Sequence, residues 1–354
     1  MRILVLTSEY EPTIIGGLGV VASQLAAQLS ALGHDVIIVT KGIKQYVDDR
    51  MIKRVRVISF PQRITENVVR YLQKQVLPVD MIHVHSIPWD DVATAVKEIC
   101  KVKIVYTCHS LIATEKSQVT LAKTMQKRQQ QLLQRSDVVI SPSEWQKNQI
   151  DAMHLTFKSI TIPNGVTILP IEPLASDKHD LVFVGRLVRL KGIEDLLTAL
   201  TSYSQKYPIS LDVYGRGEKQ YEAQLLRMAK KIRTHKVHFK GFLDHDRMMQ
   251  RIRSYGGLIM PSKNESFGLS VLEAMGCGIP VCSSLQGGLA EFVDSRVAVV
   301  IDPISPETIK ESLDELFQVK EKTAERQLAA YERAKQYAWN LIAKRYEKLM
   351  KEIR

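Results

Sequence analysis

Residues 1–39 read MRILVLTSEYEPTIIGGLGVVASQLAAQLSALGHDVIIV, and this stretch decides the fold. Residues 3–6 are a short apolar run of strand length. Residues 19–32 then carry Val20, Val21, Leu25, Leu29 and Leu32 at helical spacing. Gly33-His34-Asp35 turns the chain into a second apolar run at 36–39. A strand that is apolar on both faces has to be covered on both, so two such strands joined by a helix predict a doubly covered parallel sheet.

The same alternation continues outward from this unit. Apolar strand runs recur at 55–58, 81–84, 104–106 and 138–140, separated by helical patterns. Between 170 and 178 the pattern lapses into Pro, Ser and charged residues, which reads as a linker. It restarts at 181–184, 211–214, 237–239, 258–260, 280–282 and 297–301. From 307 onward the chain is helical and rich in Lys, Arg and Glu. At 354 residues the chain is long enough for two domains. The expected architecture is α/β, with doubly wound Rossmann-like domains at 1–170 and 171–335 and a C-terminal helix, 336–354, packing back on the first.

Composition narrows the function classes. The four cysteines (Cys100, Cys108, Cys277, Cys282) form no CxxC pair and no zinc spacing, and they sit in apolar contexts. Buried thiols in a reducing cytosol are the expectation. No apolar stretch approaches the ~20 residues that span a bilayer, and the first apolar run is too short for a signal peptide. The expected protein is soluble and cytoplasmic. Lys and Arg total 49 against 38 Asp and Glu, a formal charge of +11. That excess suits phosphate-bearing substrates or an anionic membrane surface. No basic stripe interleaved with aromatics and no nucleic-acid module accompanies it, so nucleic acid is not an expected partner. The segment 116–135, with Lys116, Lys123, Lys127, Arg128 and Arg135, is the candidate for weak peripheral contact with the inner membrane face. A solvated helix is the simpler reading.

Open parallel sheets bind ligands beyond the carboxyl ends of their strands, so the residues after each strand carry the functional reading. Gly16-Gly17 stands between the first strand and its helix, where backbone N–H groups can approach an anion. It is neither a Walker A loop nor the tight dinucleotide fingerprint, and a plain structural loop fits it equally. Arg186 and Lys191 follow the first strand of the second half, placed to clamp a diphosphate; two solvated cations are the alternative. Glu265 and Glu273 bracket the start of a helix expected near Ser270, with Glu265 in the loop before it and Glu273 in its first turn. Carboxylates there accept well from vicinal sugar hydroxyls, or serve only as a cap and a surface charge.

Taken together, Glu265-Ser-Phe-Gly-Leu-Ser-Val-Leu-Glu273 followed by Ala-Met-Gly-Cys-Gly-Ile-Pro280 resembles the EX7E signature of retaining GT-B glycosyltransferases, family 4. Gly16-Gly17, Gly33-His34-Asp35-Val36, Pro163-Asn164-Gly165-Val166, Phe183-Val184-Gly185-Arg186-Leu187 with Lys191-Gly192, and Gly287-Gly288-Leu289-Ala290-Glu291 resemble further motifs of that family, in family order across nearly the whole chain.

The resemblance implies the GT-B fold, two Rossmann-like domains facing across a deep cleft, the first acceptor-binding and the second donor-binding. It implies a nucleotide-sugar co-substrate, UDP-linked first, with GDP and ADP as alternatives, and no cofactor. Arg186 and Lys191 would hold the diphosphate, assisted by backbone amides at Gly17, Leu269 and Ser270, with Gly16, Phe267 and Gly268 also counted to the donor site. Glu273 would accept from the ribose, Glu265 from the transferred sugar, and Gly241-Phe242 would border the base. His109 would stand near the transferring sugar, giving His109, Glu265, Arg186 and Lys191 as the catalytic set. His85 and Tyr10 are placed on the acceptor side, although a lone His is more often structural. Front-face transfer without a metal is the implied mechanism, and neither Asp48-Asp49 nor Asp90-Asp91 has the DxD metal pattern.

One departure stands out. Bacterial glycogen synthases carry Lys two residues before the glycine pair, and this chain has Ile14. That favours transfer of a single sugar to a small-molecule, glycan or lipid-linked acceptor over glucan elongation. A nucleotide-sugar 2-epimerase and a non-catalytic sugar-nucleotide binding protein are the rival readings.

Overall fold

The computed structural model describes residues 1–11, 13–115, 120–154, 157–171, 179–204, 208–318 and 320–354. The expected linker at 170–178 therefore lies mostly outside the described residues, as do Pro12 and Lys116. Packing divides the chain into two compact units, Met1–Gly165 with Trp339–Arg354, and Val166–Ala338. Residues 166–169 belong with the second unit because Val166 N donates to Tyr337 O at 2.8 Å and Leu169 N to Gly276 O at 3.0 Å.

The first unit is built from β1 (Arg2–Leu6), α1 (Gly17–Ala31), β2 (Asp35–Lys41), β3 (Asp48–Ile52), β4 (Val55–Phe60), α2 (Thr65–Gln75), β5 (Met81–Val84), α3 (Asp90–Cys100), β6 (Lys103–Thr107), α4 (Thr120–Arg135), β7 (Val138–Ser141), α5 (Glu144–Asp151) and β8 (Lys158–Thr161). Its eight strands run in the order β3-β4-β2-β1-β5-β6-β7-β8. All neighbours are parallel except β3 with β4. Sequence reading missed β3 because Asp48-Asp49-Arg50-Met51-Ile52 is a polar, exposed edge strand with no apolar run to betray it. It missed β8, at the opposite edge, because Lys158-Ser159-Ile160-Thr161 is a short, mostly polar strand with no apolar run either.

The second unit comprises β9 (Asp180–Val184), α6 (Ile193–Ser202), β10 (Ser210–Tyr214), α7 (Lys219–Ala229), β11 (Lys236–Gly241), α8 (His245–Ile252), β12 (Gly257–Met260), α9 (Leu269–Gly276), β13 (Val281–Ser283), β14 (Val299–Val300), α10 (Pro306–Gln318) and α11 (Lys320–Lys335). Its six strands, ordered β11-β10-β9-β12-β13-β14, pair in parallel throughout. The sheet order reverses at β9, whose neighbours are β10 and β12, which marks its carboxyl end as the binding position of such a sheet.

The C-terminal helix α12 (Trp339–Ile353) packs within the first unit. Its buried face is Trp339, Ile342, Ala343, Tyr346, Leu349 and Met350, a helical apolar stripe. A Cβ at Gly165 would come within 2.3 Å of the Trp339 ring, so glycine is what lets the chain pass that indole.

Helix α4 buries Gln129, Leu132 and Leu133. Its Arg128 is an ion-pair partner of Asp90 and Asp91. One of the basic residues proposed for a membrane surface is thus engaged in holding α4 to the start of α3.

Candidate active site

In the second unit, β9 and β10 end in loops that touch backbone to backbone. A Cβ on Gly215 would lie 1.8 Å from Gly185 O, and one on Gly217 would lie 2.2 Å from Leu187 O. Leu187 N closes the contact by donating to Arg216 O at 2.9 Å. The Arg186 side chain is exposed just beyond the carboxyl end of β9.

Lys191 completes a short 3-10 turn, Arg189–Lys191, capped by Gly192 at φ +69. A Cβ at Gly192 would sit 1.9 Å from Pro261 O, so only glycine allows the turn to rest on the loop after β12. Lys263 N ties the same two segments by donating to Leu190 O at 2.7 Å. This seating brings Lys191 Nζ into an ion pair with Glu265 Oε1. Ser262 Oγ donates to the same oxygen at 2.9 Å.

The helix after Glu265 begins at Leu269, one residue earlier than expected. Gly268 at φ +101 starts it, and a Cβ there would meet Leu289 at 2.2 Å. Leu269 and Ser270 precede the first amides that bond inside the helix, those of Val271 and Leu272 to Gly268 O. Glu273 lies in the second turn rather than the first. Its Oε1 is 2.7 Å from Nε2 of His245, the first residue of α8. Burial lowers the pKa of His245, but Glu273 and Asp246 outweigh it and the imidazole titrates above its ordinary range.

The phenylalanines part ways. Phe242 is exposed, with the Arg216 guanidinium 5.7 Å from its ring centre, and follows Gly241 at φ +71. Phe267 is core: its ring packs 5.1 Å from Phe292 and 6.2 Å from Tyr337, which leaves only its backbone to meet a ligand.

In the first unit the glycine loop holds a surprise. Glu9 Oε2 accepts from Ile15 N at 3.0 Å and Gly16 N at 2.9 Å, so this loop already binds a carboxylate of its own chain. A Cβ at Gly19 would come within 2.8 Å of the Glu9 side chain, which explains a further glycine in the first turn of α1. The amide of Gly17, the first residue of α1, stands next in line at the helix N-terminus. Tyr10 is buried at 3% exposure, and burial, with Glu11 adding, pushes its phenol up. Its ring is a core side chain.

His83 on β5 and His85, the residue just beyond its end, lie on one face, since side chains alternate along an extended chain. Their rings lie 4.1 Å apart, and the ring of His109, beyond β6, stacks on His85 at 5.2 Å. His85 Nδ1 and His109 Nε2 are 2.9 Å apart. His83 Nε2 meets Thr107 Oγ1 at 2.8 Å, and that hydroxyl is 3.4 Å from the Tyr346 phenol of α12. Burial, with His109 adding, holds His83 down to about 3, and burial holds His109 down to about 4. His85 lies well below the ordinary range, through burial first and its two neighbours second. All three rings are therefore neutral at pH 7, and each joins its neighbours as hydrogen-bond donor or acceptor rather than as a cation.

Sequence reasoning missed Glu9, His83, His245 and Ser262. The His-x-His alternation at the end of β5 could have signalled His83. Ser262 and His245 had no local signal, because the chain folds each onto its glutamate from another loop or helix. Among the described residues no group of three or more His, Cys, Asp or Glu side chains could hold a metal ion. No described helix is long and apolar enough to cross a membrane.

Two family models match the chain. "Glycosyltransferase Family 4" matches residues 15–168 and "Glycosyl transferases group 1" matches 167–336, so together they span nearly the whole chain. The chain belongs to the group 1 glycosyltransferases, and it is an enzyme of that class. It is 28% identical to an uncharacterised glycosyltransferase of Methanocaldococcus jannaschii, over 89% of this chain and 88% of that protein. It is likewise 28% identical to a glycogen synthase of Mycobacterium tuberculosis, over 83% of this chain and 80% of that one. Among solved structures, sucrose-phosphate synthase of Thermosynechococcus elongatus superposes with a TM-score of 0.81 at 20% identity, covering 99% of this chain and 98% of that one. Anabaena HepE in complex with UDP-glucose gives 0.80 at 18% identity, covering 99% and 100%. These likenesses establish the GT-B fold.

Proposed function

We propose that the protein is a retaining glycosyltransferase that takes its sugar from a nucleoside diphosphate donor, a UDP-sugar first, and passes it to a discrete acceptor hydroxyl without a catalytic metal. The observation that carries this reading is the ion pair of Lys191 with Glu265 at the strand ends of the second unit. A cation for phosphate and a carboxylate for sugar hydroxyls stand side by side there, as a sugar diphosphate requires.

In this reading the second unit binds the donor and the first the acceptor. Arg186 and Lys191 meet the diphosphate, with the Leu269 and Ser270 amides at the head of α9 assisting. Their charge stabilises the phosphate oxygen as its bond to the sugar breaks, so they act most strongly in the transition state. The acceptor oxygen approaches the same face of the sugar, forms the new bond and gives its proton to the departing phosphate oxygen. Glu265 takes hydroxyls of the moving sugar, and Glu273, steadied by His245, takes those of the ribose. Phe242 and Gly241 border the base. Neutral His109 offers a hydrogen bond near the sugar, with His85 behind it.

The UDP and UDP-glucose complexes of Anabaena HepE favour a uridine nucleotide as the first to try. Ile14, where glycogen synthases carry Lys, favours a discrete acceptor. A thermal-shift screen of UDP, GDP, ADP and their sugar conjugates tests the donor half, since a ligand bound only by the native state raises Tm. NMR of the product's anomeric centre, with and without EDTA, tests retention and metal independence. An inverted product or activity lost to EDTA contradicts the respective claim.

A further inference from the structure

Glu265 is held by more than the sugar-binding role requires. Its Oε1 carries two bonds, from Lys191 Nζ and from Ser262 Oγ, the latter at 2.9 Å. Ser262 is wholly buried, and its carbonyl is itself gripped by the buried hydroxyl of Ser284 at 2.6 Å. The main chain of Glu265 is fixed as well: Gly288 N donates to its carbonyl at 2.9 Å. Gly287, at φ +67, passes so close that a Cβ would lie 2.1 Å from that carbonyl oxygen. Segments following β9 and β12 therefore meet at one carboxylate, and the segment following β13 holds the main chain that carries it.

A serine hydroxyl has one proton, and buried Ser262 aims it at a charged acceptor. Such a bond fixes the carboxylate plane as well as its charge, because Nζ and Oγ reach one oxygen from different segments. With Oε1 doubly occupied, Oε2 is the oxygen left for a ligand. Carboxylate recognition of a sugar hydroxyl depends on that plane, since an oxygen turned away by a few tenths of an ångström loses its bond.

We propose that Ser262 is a positioning residue for donor chemistry: it pins Glu265 Oε1 together with Lys191, so that Oε2 is presented to a hydroxyl of the transferred sugar. The proposal rests on the reading of Glu265 as the sugar-binding carboxylate and adds a residue that no motif in the chain marks. It also separates two duties within the donor site. Lys191 serves both the phosphate and the carboxylate, whereas Ser262 serves the carboxylate alone. Loss of Ser262 should therefore spare the nucleotide and hurt the sugar.

The test uses the full chain and a panel of UDP-, GDP- and ADP-glucose, followed by monodeoxy forms of whichever donor the wild type consumes. Nucleotide release is measured for wild type, Ser262→Ala and Glu265→Gln, with affinity for the free nucleotide measured in parallel. A hydrogen bond to a charged group is worth roughly tenfold or more in rate, so Ser262→Ala is expected to turn over about ten times more slowly. Its affinity for free nucleotide should stay within about twofold, because the phosphate contacts remain. One deoxy donor should be penalised strongly in wild type and much less in Ser262→Ala, a shift that general loosening of the fold would not produce. Ser262→Gly serves as second variant if the alanine form is poorly folded. Full turnover in Ser262→Ala while Glu265→Gln is inactive overturns this proposal alone. Undiminished turnover in Glu265→Gln, or no donor consumed by wild type, overturns the reading beneath it and the proposal with it.

Discussion

The carboxylate of Glu9 accepts the amide of Gly16 at 2.9 Å, so the glycine loop ahead of α1 is built around an anion that belongs to the chain itself. Two loop amides are thereby satisfied at a helix N-terminus, where negative charge is favoured. Any phosphate meeting this loop reaches Gly17 and the turn beyond it, not the amides of Ile15 and Gly16.

Glu9→Ala leaves those amides without their partner and removes a favourable anion at the helix end. Charge-assisted bonds of this kind are worth about 1–3 kcal/mol, so a stability loss of that order is expected in urea unfolding. Gly19→Ala should act in the same direction, because its methyl would press on the Glu9 side chain. Unchanged midpoints in both variants contradict the account of the loop.

Three neighbouring imidazoles, buried His83 and His85 and half-buried His109, set the acid limit of the first unit. Each folded pKa lies below its unfolded value near 6.5, so the unfolded chain binds more protons as pH falls. Their contribution is fully present above about pH 6.5 and is lost as pH falls toward about 4. Denaturant unfolding at pH 7.5 and pH 5 should show a marked drop that His83→Phe reduces. A flat profile over that window contradicts neutral burial.

His245 has the opposite sign. Its folded pKa is raised, so its bond to Glu273 stabilises most below the unfolded pKa of about 6.5 and weakens as pH rises through the folded value. His245→Gln keeps a neutral donor but no charge. Nucleotide affinity of the wild type should therefore decline across that rise, and the decline should be absent in His245→Gln. Identical pH profiles of nucleotide affinity would remove His245 from the site.

Gly287→Ala tests the loop that clamps Glu265. The residue combines a left-handed φ of +67 with a Cβ position 2.1 Å from Glu265 O, so the loop has to move. A stability loss of about 1–3 kcal/mol is expected, together with slower turnover. Wild-type turnover in a stable Gly287→Ala protein contradicts the clamp.

The fold was legible because buried parallel strands are written as unbroken apolar runs. What escaped were two edge strands, β3 and β8, which are short, mostly polar and incompletely buried, so no apolar run marks them. The site divided along a similar line. Arg186 with Lys191 and Glu265 with Glu273 stand in two motifs of fixed spacing, and Lys191 and Glu265 do meet. Glu9, His245 and Ser262 act through partners brought to them by folding, and no spacing encodes that. Phe267 sits inside the motif, yet its ring went to the core, since an aromatic beside a helix start serves packing as readily as binding.

The most direct test of the central claim is nucleotide release from UDP-, GDP- and ADP-sugars by wild type, Arg186→Ala and Glu265→Gln, with binding of the free nucleotide measured alongside. The account predicts that wild type consumes one donor class, that Arg186→Ala binds its nucleotide at least about tenfold more weakly, and that Glu265→Gln still binds the nucleotide but releases little. No donor consumed, or undiminished release by Glu265→Gln, would contradict it.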